Sequence, residues 1–412
     1  MPTTFIVVSG ATPQDAAAAA DGRLFLANRS RLRAFGITDG RLLWESSHEV
    51  PEPVFYRVPR RIRTSGKRLR PGGGGLLHLS DGETDVVVRC HDVTSGGIRW
   101  ERRIPAPPPL PWTEPRPACE GAKTEEIDAF LLQQMGGLGI SRTSRTSTHS
   151  LPGQGTFPAP PYQAQLEILS LHEASGLDRW TSTLPDIGVP ILEKERFTLL
   201  LRRGTEILDV AVETGETRLI GRAPNPCAWP RRSGDKAVAA WRTTKGFGLT
   251  SFDGNEVVLA RKNTREVALH EAGSQLVLQF NERSFSVVQS DLRVGPEIPI
   301  KGYIYGVAAA PGGLLCVATA GAGGGLYAVE PTSGALVAEH VLPQGAWHVA
   351  AVREAGKTVA VCGPGIAILD SRSGALTMEE LPCAGAIAGT DGRRVAVLTG
   401  EPAPPGIHML DL

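Results

Sequence analysis

The sequence predicts an all-β fold, a single β-propeller of four-stranded antiparallel blades, on three observations. A small-residue turn carrying Gly recurs between short apolar runs, at Thr38-Asp39-Gly40, Thr94-Ser95-Gly96, Ala174-Ser175-Gly176, Glu213-Thr214-Gly215, Phe252-Asp253-Gly254, Thr332-Ser333-Gly334 and Arg372-Ser373-Gly374, with a Gly-less version at Ser290-Asp291. From Gly176 onward these turns fall at 176, 215, 254, about 291, 334 and 374, a period that marks a radial array of β-repeats. Within a period lie four short runs of strand character, seen most clearly in Ala335 to Leu342, His348 to Val352, Thr358 to Cys362 and Ile366 to Asp370. Four short antiparallel strands make one blade, and closing the ring protects the sheet edges.

Composition agrees. Of 412 residues, 41% are hydrophobic, and 48 Gly with 32 Pro imply many turns and few long helices. Because stacked repeats form one continuous body, residues 1–412 are expected to be a single domain. Equal numbers of basic and acidic residues, 43 of each, leave no global field to draw the chain to nucleic acid or an anionic membrane.

Taken along the chain, Leu24 to Ala27 reads as an inner strand, Leu32 to Phe35 as its partner and Leu42 to Trp44 as the outer strand of the first blade. Inner strand pairs then follow near 76–93, 138–173, 197–210, 237–252, 276–288, 314–329, 358–369 and 395–410, nine pairs with the first. The third straddles a long insertion, so the repeat count is eight or nine. The last module ends at Leu412 without an outer strand, and the orphan run Phe5-Ile6-Val7-Val8 has the length to supply it. N- and C-terminal strands are therefore expected to pair and close the ring.

After the first three turns a Trp follows four residues past the Gly, as Trp44, Trp100 and Trp180. Gly supplies the positive φ of a tight turn, and a Trp on the outer strand lies between blades while its N–H finds a backbone acceptor. The unit Leu-x-Ala-Phe or Tyr-Ala-Val-Glu, then a Thr/Ser-Gly turn, then Leu-x-Trp resembles the repeat of quinoprotein-like (PQQ-like) β-propellers, best at Leu32 to Trp44, Val87 to Trp100, Leu166 to Trp180, Leu326 to Gly334 and Ile366 to Gly374. The resemblance implies the fold but little about function, because that blade serves dehydrogenases, assembly factors and scaffolds alike. It does not extend to an adjacent Cys-Cys pair, and no cofactor is expected.

Two insertions break the period. The first, 51–75, carries Arg57, Arg60, Arg61, Arg63, Lys67, Arg68 and Arg70 and ends in Pro71 and four Gly. Such a run suits an acidic protein surface or phosphates, but it lacks interleaved aromatics for base stacking, so nucleic-acid binding is the weaker expectation. The second, 104–165, is Pro-rich at both ends. Between them Thr124 caps an expected helix over 125–135, with Ile127, Phe130, Leu131 and Met135 on one apolar face. The segment Ser141 to Thr148 reads equally as a strand or a loop.

No motif names a chemistry. The nine His form no metal-binding spacing, and in a strand the neighbours Cys90 and His91 point to opposite faces. Cys316 and Cys362 occupy matching strand positions and read as core residues, while Asp92, His172, Glu330 and Asp370 each precede a turn Gly by four residues, where a carboxylate accepts turn amides. The Gly321 to Gly325 run lacks the Lys and Ser/Thr of a phosphate loop. The six widely spread Cys and the absence of a basic leader or membrane-length apolar run lead to the expectation of a cytoplasmic protein.

The function expected is a non-catalytic scaffold for protein–protein interaction within a bacterial assembly, not an enzyme. By analogy with propellers of similar length, the partners implied are an AAA+ ATPase or a von Willebrand A-domain protein. The alternative is a sensor or enzyme with a small-molecule site in the central channel, where the inner strands converge.

Overall fold

The computed structural model describes residues 3–7, 16–28, 30–48, 62–65, 68–72, 75–82, 84–108, 123–132, 134–146, 163–189, 198–224, 228–244, 246–252, 255–260, 266–281, 283–310, 313–321, 323–342, 344–381, 385–391, 393–399 and 406–412. Among them are nine separate sheets and no helix. The chain is a nine-bladed β-propeller. Seven sheets have four strands, the third has five, and three strands of the fourth are described.

The nine strand pairs expected from the sequence all form, and in every blade but the fourth, of which three strands are described, they are interior strands with a further strand on the axial side. In the first blade the innermost strand is Ala16–Ala20, followed outward by Arg23–Ala27, Arg31–Gly36 and Leu42–Ser47. Leu24 to Ala27 is an inner strand, as expected, but the sequence pattern does not reveal the strand that lies nearer the axis, for a physical reason. Strands nearest the axis approach one another so closely that small residues are favoured there, and five consecutive Ala carry no β-branched or aromatic signal. A Cβ on Gly389 would lie 2.5 Å from Ala19 Cβ, and one on Gly306 would lie 2.5 Å from Val349 Cγ1, so neighbouring inner strands touch backbone to side chain.

The ring closes as expected. Thr3–Val7 forms the outer strand of the ninth blade, antiparallel to Gly406–Asp411, with Thr3 opposite Leu410 and Val7 opposite Gly406. Inside it lie Arg394–Thr399 and Gly385–Asp391.

Among the described residues there is no single central core. The buried apolar residues form nine clusters, each between two adjacent blades. Strand alternation makes this possible, because successive side chains face opposite neighbours. In the second blade Leu77, Val86, Val88 and Cys90 face the third, while Leu69, Leu76 and Val93 face the first. Cys316 and Cys362 lie together in the core between blades seven and eight, where burial pushes the Cys316 thiol up to about 12.

The expected helix over 125–135 does not form. Lys123–Leu131 is the first strand of the third blade, antiparallel to Gly137–Thr146. Ile127, Ala129 and Leu131 enter the core toward blade two, whereas Phe130 and Met135 enter the core toward blade four. The apolar residues that satisfy a helical spacing thus serve opposite faces of one sheet. Pairing on both sides outweighs a local helical pattern that had no other surface to bury against. Ser141 to Thr146 are strand residues of this blade, so the second insertion contains half a blade.

Candidate functional site

In a four-stranded meander the end of the second strand and the end of the fourth lie on the same face as the start of the first. The chain leaves blade one after Ser47, leaves blade two after Pro105, and leaves the second strand of blade three at Thr146, so all three departures open on one face. These are the points at which the two insertions begin and the Pro-rich one is interrupted. The insertion-bearing face of blades one to three is the candidate interaction site.

Its framework is built into the blades. Ile62–Thr64, from within the basic insertion, pairs parallel to Ile127–Ala129 as a fifth strand on the inner edge of blade three. Ile62 is fully buried in the core between blades two and three. Thr64 donates its N–H to Asp81 Oδ1 at 2.7 Å, and Ser65 donates to the Ala129 carbonyl at 2.8 Å. Arg142, almost wholly buried, donates to Gln165 Oε1 at 2.8 Å and to the Pro108 carbonyl, holding the start of the Pro-rich insertion. The sequence offered no warning of the fifth strand, since three residues carry no periodicity.

Among the described residues, the basic positions Arg63, Arg68 and Arg70 do not gather in one patch. Arg63 is exposed on the added strand. Arg68 uses its carbonyl to accept the Leu79 N–H. Arg70 forms a 2.6 Å ion pair with Glu173, beside the turn of blade three and so at the opposite face. Arg57, Arg60, Arg61 and Lys67 lie outside the described residues. Ile127, Phe130, Leu131 and Met135, expected to present a docking face, are buried blade residues and offer none.

The Gly turns join blades. Trp44 Nε1 donates to the Val93 carbonyl at 3.0 Å, Trp100 Nε1 to Glu173 at 2.8 Å and Trp180 Nε1 to Val212 at 3.0 Å. Each indole lies over the turn Gly of the next blade, where a Cβ would fall 2.5 Å from Trp44 at Gly96, 2.6 Å from Trp100 at Gly176 and 2.4 Å from Trp180 at Gly215. Arg102 adds a two-pronged ion pair to Asp178 of blade three. Where Trp is missing, Ala338 packs on Gly374 and His340 Nε2 lies 2.8 Å from the Gly374 carbonyl. The carboxylates of Asp92, Glu330 and Asp370 accept the turn amides; the Arg99 guanidinium, with the Ser95 and Thr94 amides, holds Asp92 well below its ordinary range, and the Ser333 and Thr332 side chains with their amides hold Glu330 at about 2. At His172 the backbone carbonyl instead serves Ser175 and Gly176.

The channel side carries a second feature. The innermost strands of blades seven and eight each bulge near their start, between Ile304 and Gly306 and between Trp347 and Val349. The bulged residues are Tyr305, which is 55% exposed, and His348, exposed with a φ of +54°. Bulges re-aim side chains, and here the residues following them, Gly306 and Val349, are in contact.

One polar cluster escaped sequence reading because its members are far apart in the chain. His48, His78 and His91 form a chain of ring contacts between blades one and two, with centroids 5.1 and 6.0 Å apart. Beside them Arg89 is held by Glu101 at 2.7 Å and Ser80 Oγ at 2.8 Å. Burial, neighbouring imidazoles and cationic Arg89 keep His78 well below its ordinary value, and burial does the same for His91. Cys90, next to His91, faces the other way into the core toward blade three. Among the described residues no three His, Cys, Asp or Glu side chains converge so as to hold a metal ion.

No protein-family model matches the sequence, and no curated protein matches it either. Solved structures do. The chain is similar to BamB from Moraxella catarrhalis at 10% identity and a TM-score of 0.45, over 99% of this chain and 98% of that one. It is also similar to the computationally designed Ika8 protein, at 9% identity and 0.45 over 98% of both chains, and to a europium-containing methanol dehydrogenase, at 10% and 0.44 over 98% of this chain and 85% of that one. At such scores these likenesses carry no argument about function, and the blade count stands on strand pairing alone.

Proposed function

We propose that this protein is a non-catalytic propeller scaffold that binds a protein partner through the insertion-bearing face of blades one to three. The observation that carries this reading is the common face on which the strand ends bracketing both insertions open, with Ile62–Thr64 anchored as a fifth strand. Insertions gathered on one face of a rigid ring give a binding surface whose framework needs no ordering on association. The ion pair of Arg70 with Glu173 removes one cation from the basic run and makes nucleic acid the weaker partner. The test is affinity capture from the native host with mass spectrometry, using the full chain and a variant in which residues 109–122 are replaced by a Gly/Ser linker. A protein held by the full chain and lost by the variant supports the reading, and capture that is identical for both overturns it.

A second reading, a small-molecule site in the channel, is favoured by the bulges that turn Tyr305 and His348 out of their strands. Native mass spectrometry of the purified protein, with Tyr305→Ala as the control, tests it. A bound mass that the variant loses supports a channel ligand.

A further inference from the structure

We propose that the imidazole cluster His48, His78 and His91 makes the seam between blades one and two an acid-sensitive joint, closed while the rings are neutral and loosened when they take up protons.

The seam has two parts. On the apolar side Phe25, Leu32, Trp44, Leu69, Leu76 and Val93 pack together, and Trp44 docks on the turn of blade two. The polar side is the His cluster. His78 is on the second strand of blade two, Gly75–Asp81, and His91 is on the third, Asp85–Asp92; both face blade one, from whose outer strand His48 follows directly. His91 Nδ1 lies 3.1 Å from the Gly96 carbonyl, so in the neutral ring Nδ1 carries the proton and Nε2 holds the lone pair. That Nε2 is buried with no hydrogen-bond partner, as is Nδ1 of His78. A proton added to His91 must therefore sit on a buried nitrogen with nothing to accept it, at the full desolvation cost of an unpaired cation.

The surrounding charges oppose protonation. His78 faces His48 from blade one, His91 and Arg89 from the third strand of its own blade, and Arg68 at the entry to its innermost strand; each disfavours a positive ring. His91 feels Arg89 and His48 in the same direction, and only its bond to Gly96 acts the other way. The carboxylate of the cluster, Glu101, is engaged by Arg89. Both rings thus have folded values below the ordinary 6.5. A group of this kind stabilises the fold fully above its unfolded value, and the contribution is lost as pH falls below it. His91 Nδ1–H donates to Gly96, the glycine under Trp44, in either protonation state, so acid acts on the dock when the charged ring leaves the buried seam for water and takes this bond with it.

Hydrogen–deuterium exchange at the imidazole C2 position, read by mass spectrometry on the intact chain between pH 4 and 8, reports each His separately. His78 and His91 should titrate below 6.5, and titration of His78 at or above that value overturns the proposal. Backbone exchange, corrected for the intrinsic rate, should rise severalfold at pH 5 over pH 7 in peptides covering 42–48 and 93–98, and less in 336–341, the corresponding strand of the blade seven to eight seam. Equal rises in both seams also overturn it. In His78→Gln the excess rise should shrink, and should that variant not fold, the C2 measurement on the natural chain still decides.

Discussion

Gly176 has a φ of +70° and lies beneath the Trp100 ring, so a side chain there meets two obstacles at once. Gly176→Ala should lower unfolding stability by roughly 2 kcal/mol or more, from the left-handed backbone and the displaced indole together. Denaturant titration checks this, and a loss under about 0.5 kcal/mol, the usual size for a surface change, would show that the dock yields easily. The turn carboxylates give a pH signature of the same sense as the His cluster but in a more acidic window. Hydrogen bonds from Ser333 and Thr332 hold Glu330 at about 2 against an ordinary 4.5, so its contribution is present above about 4.5 and is lost as pH falls toward 2. Glu330→Gln should flatten the acid limb of stability in that window, measured by denaturant titration at several pH values. At this scale much was legible, since Gly, Trp and acid recur at fixed offsets. The His cluster was not, because burial and blade packing create it from residues whose spacing means nothing locally.

Strands carry the closure and the correction. Removing residues 1–10 strips the outer strand from the ninth blade and exposes the edge of Gly406–Asp411. The truncated protein should lose at least about 2 kcal/mol through its ladder hydrogen bonds and unfold at a lower temperature in calorimetry. An unchanged melting temperature would refute closure through this strand. In blade three, Ile127→Ala should cost about 2–4 kcal/mol, whereas Glu126→Ala, at an exposed neighbouring position, should stay within about 0.5 kcal/mol. That contrast between adjacent residues is the period-two signature of a strand. The helix expected here failed for an instructive reason. Ile127, Phe130, Leu131 and Met135 satisfy a helical spacing, but a residue buried on either side of a sheet satisfies it equally well.

The whole molecule is a chain of nine seams, each with its own core. A closed ring shares load between neighbours, so weakening one seam should act on the blades beside it first. The blade architecture, the closure by N- and C-terminal strands and the place of Trp between blades were all readable from residue order, because a repeated unit writes the same local pattern each time and each copy needs only its neighbours; that each Trp ring lies on the turn Gly of the next blade was not. Other features required folded coordinates. The alanine strand at the axis, the parallel strand Ile62–Thr64 on the inner edge of blade three, the engagement of Arg70 by Glu173 and the meeting of His48, His78 and His91 all join segments from different blades or from breaks in the repeat. Local pattern reports what a segment does to itself, whereas these contacts exist only after ring closure brings distant segments together.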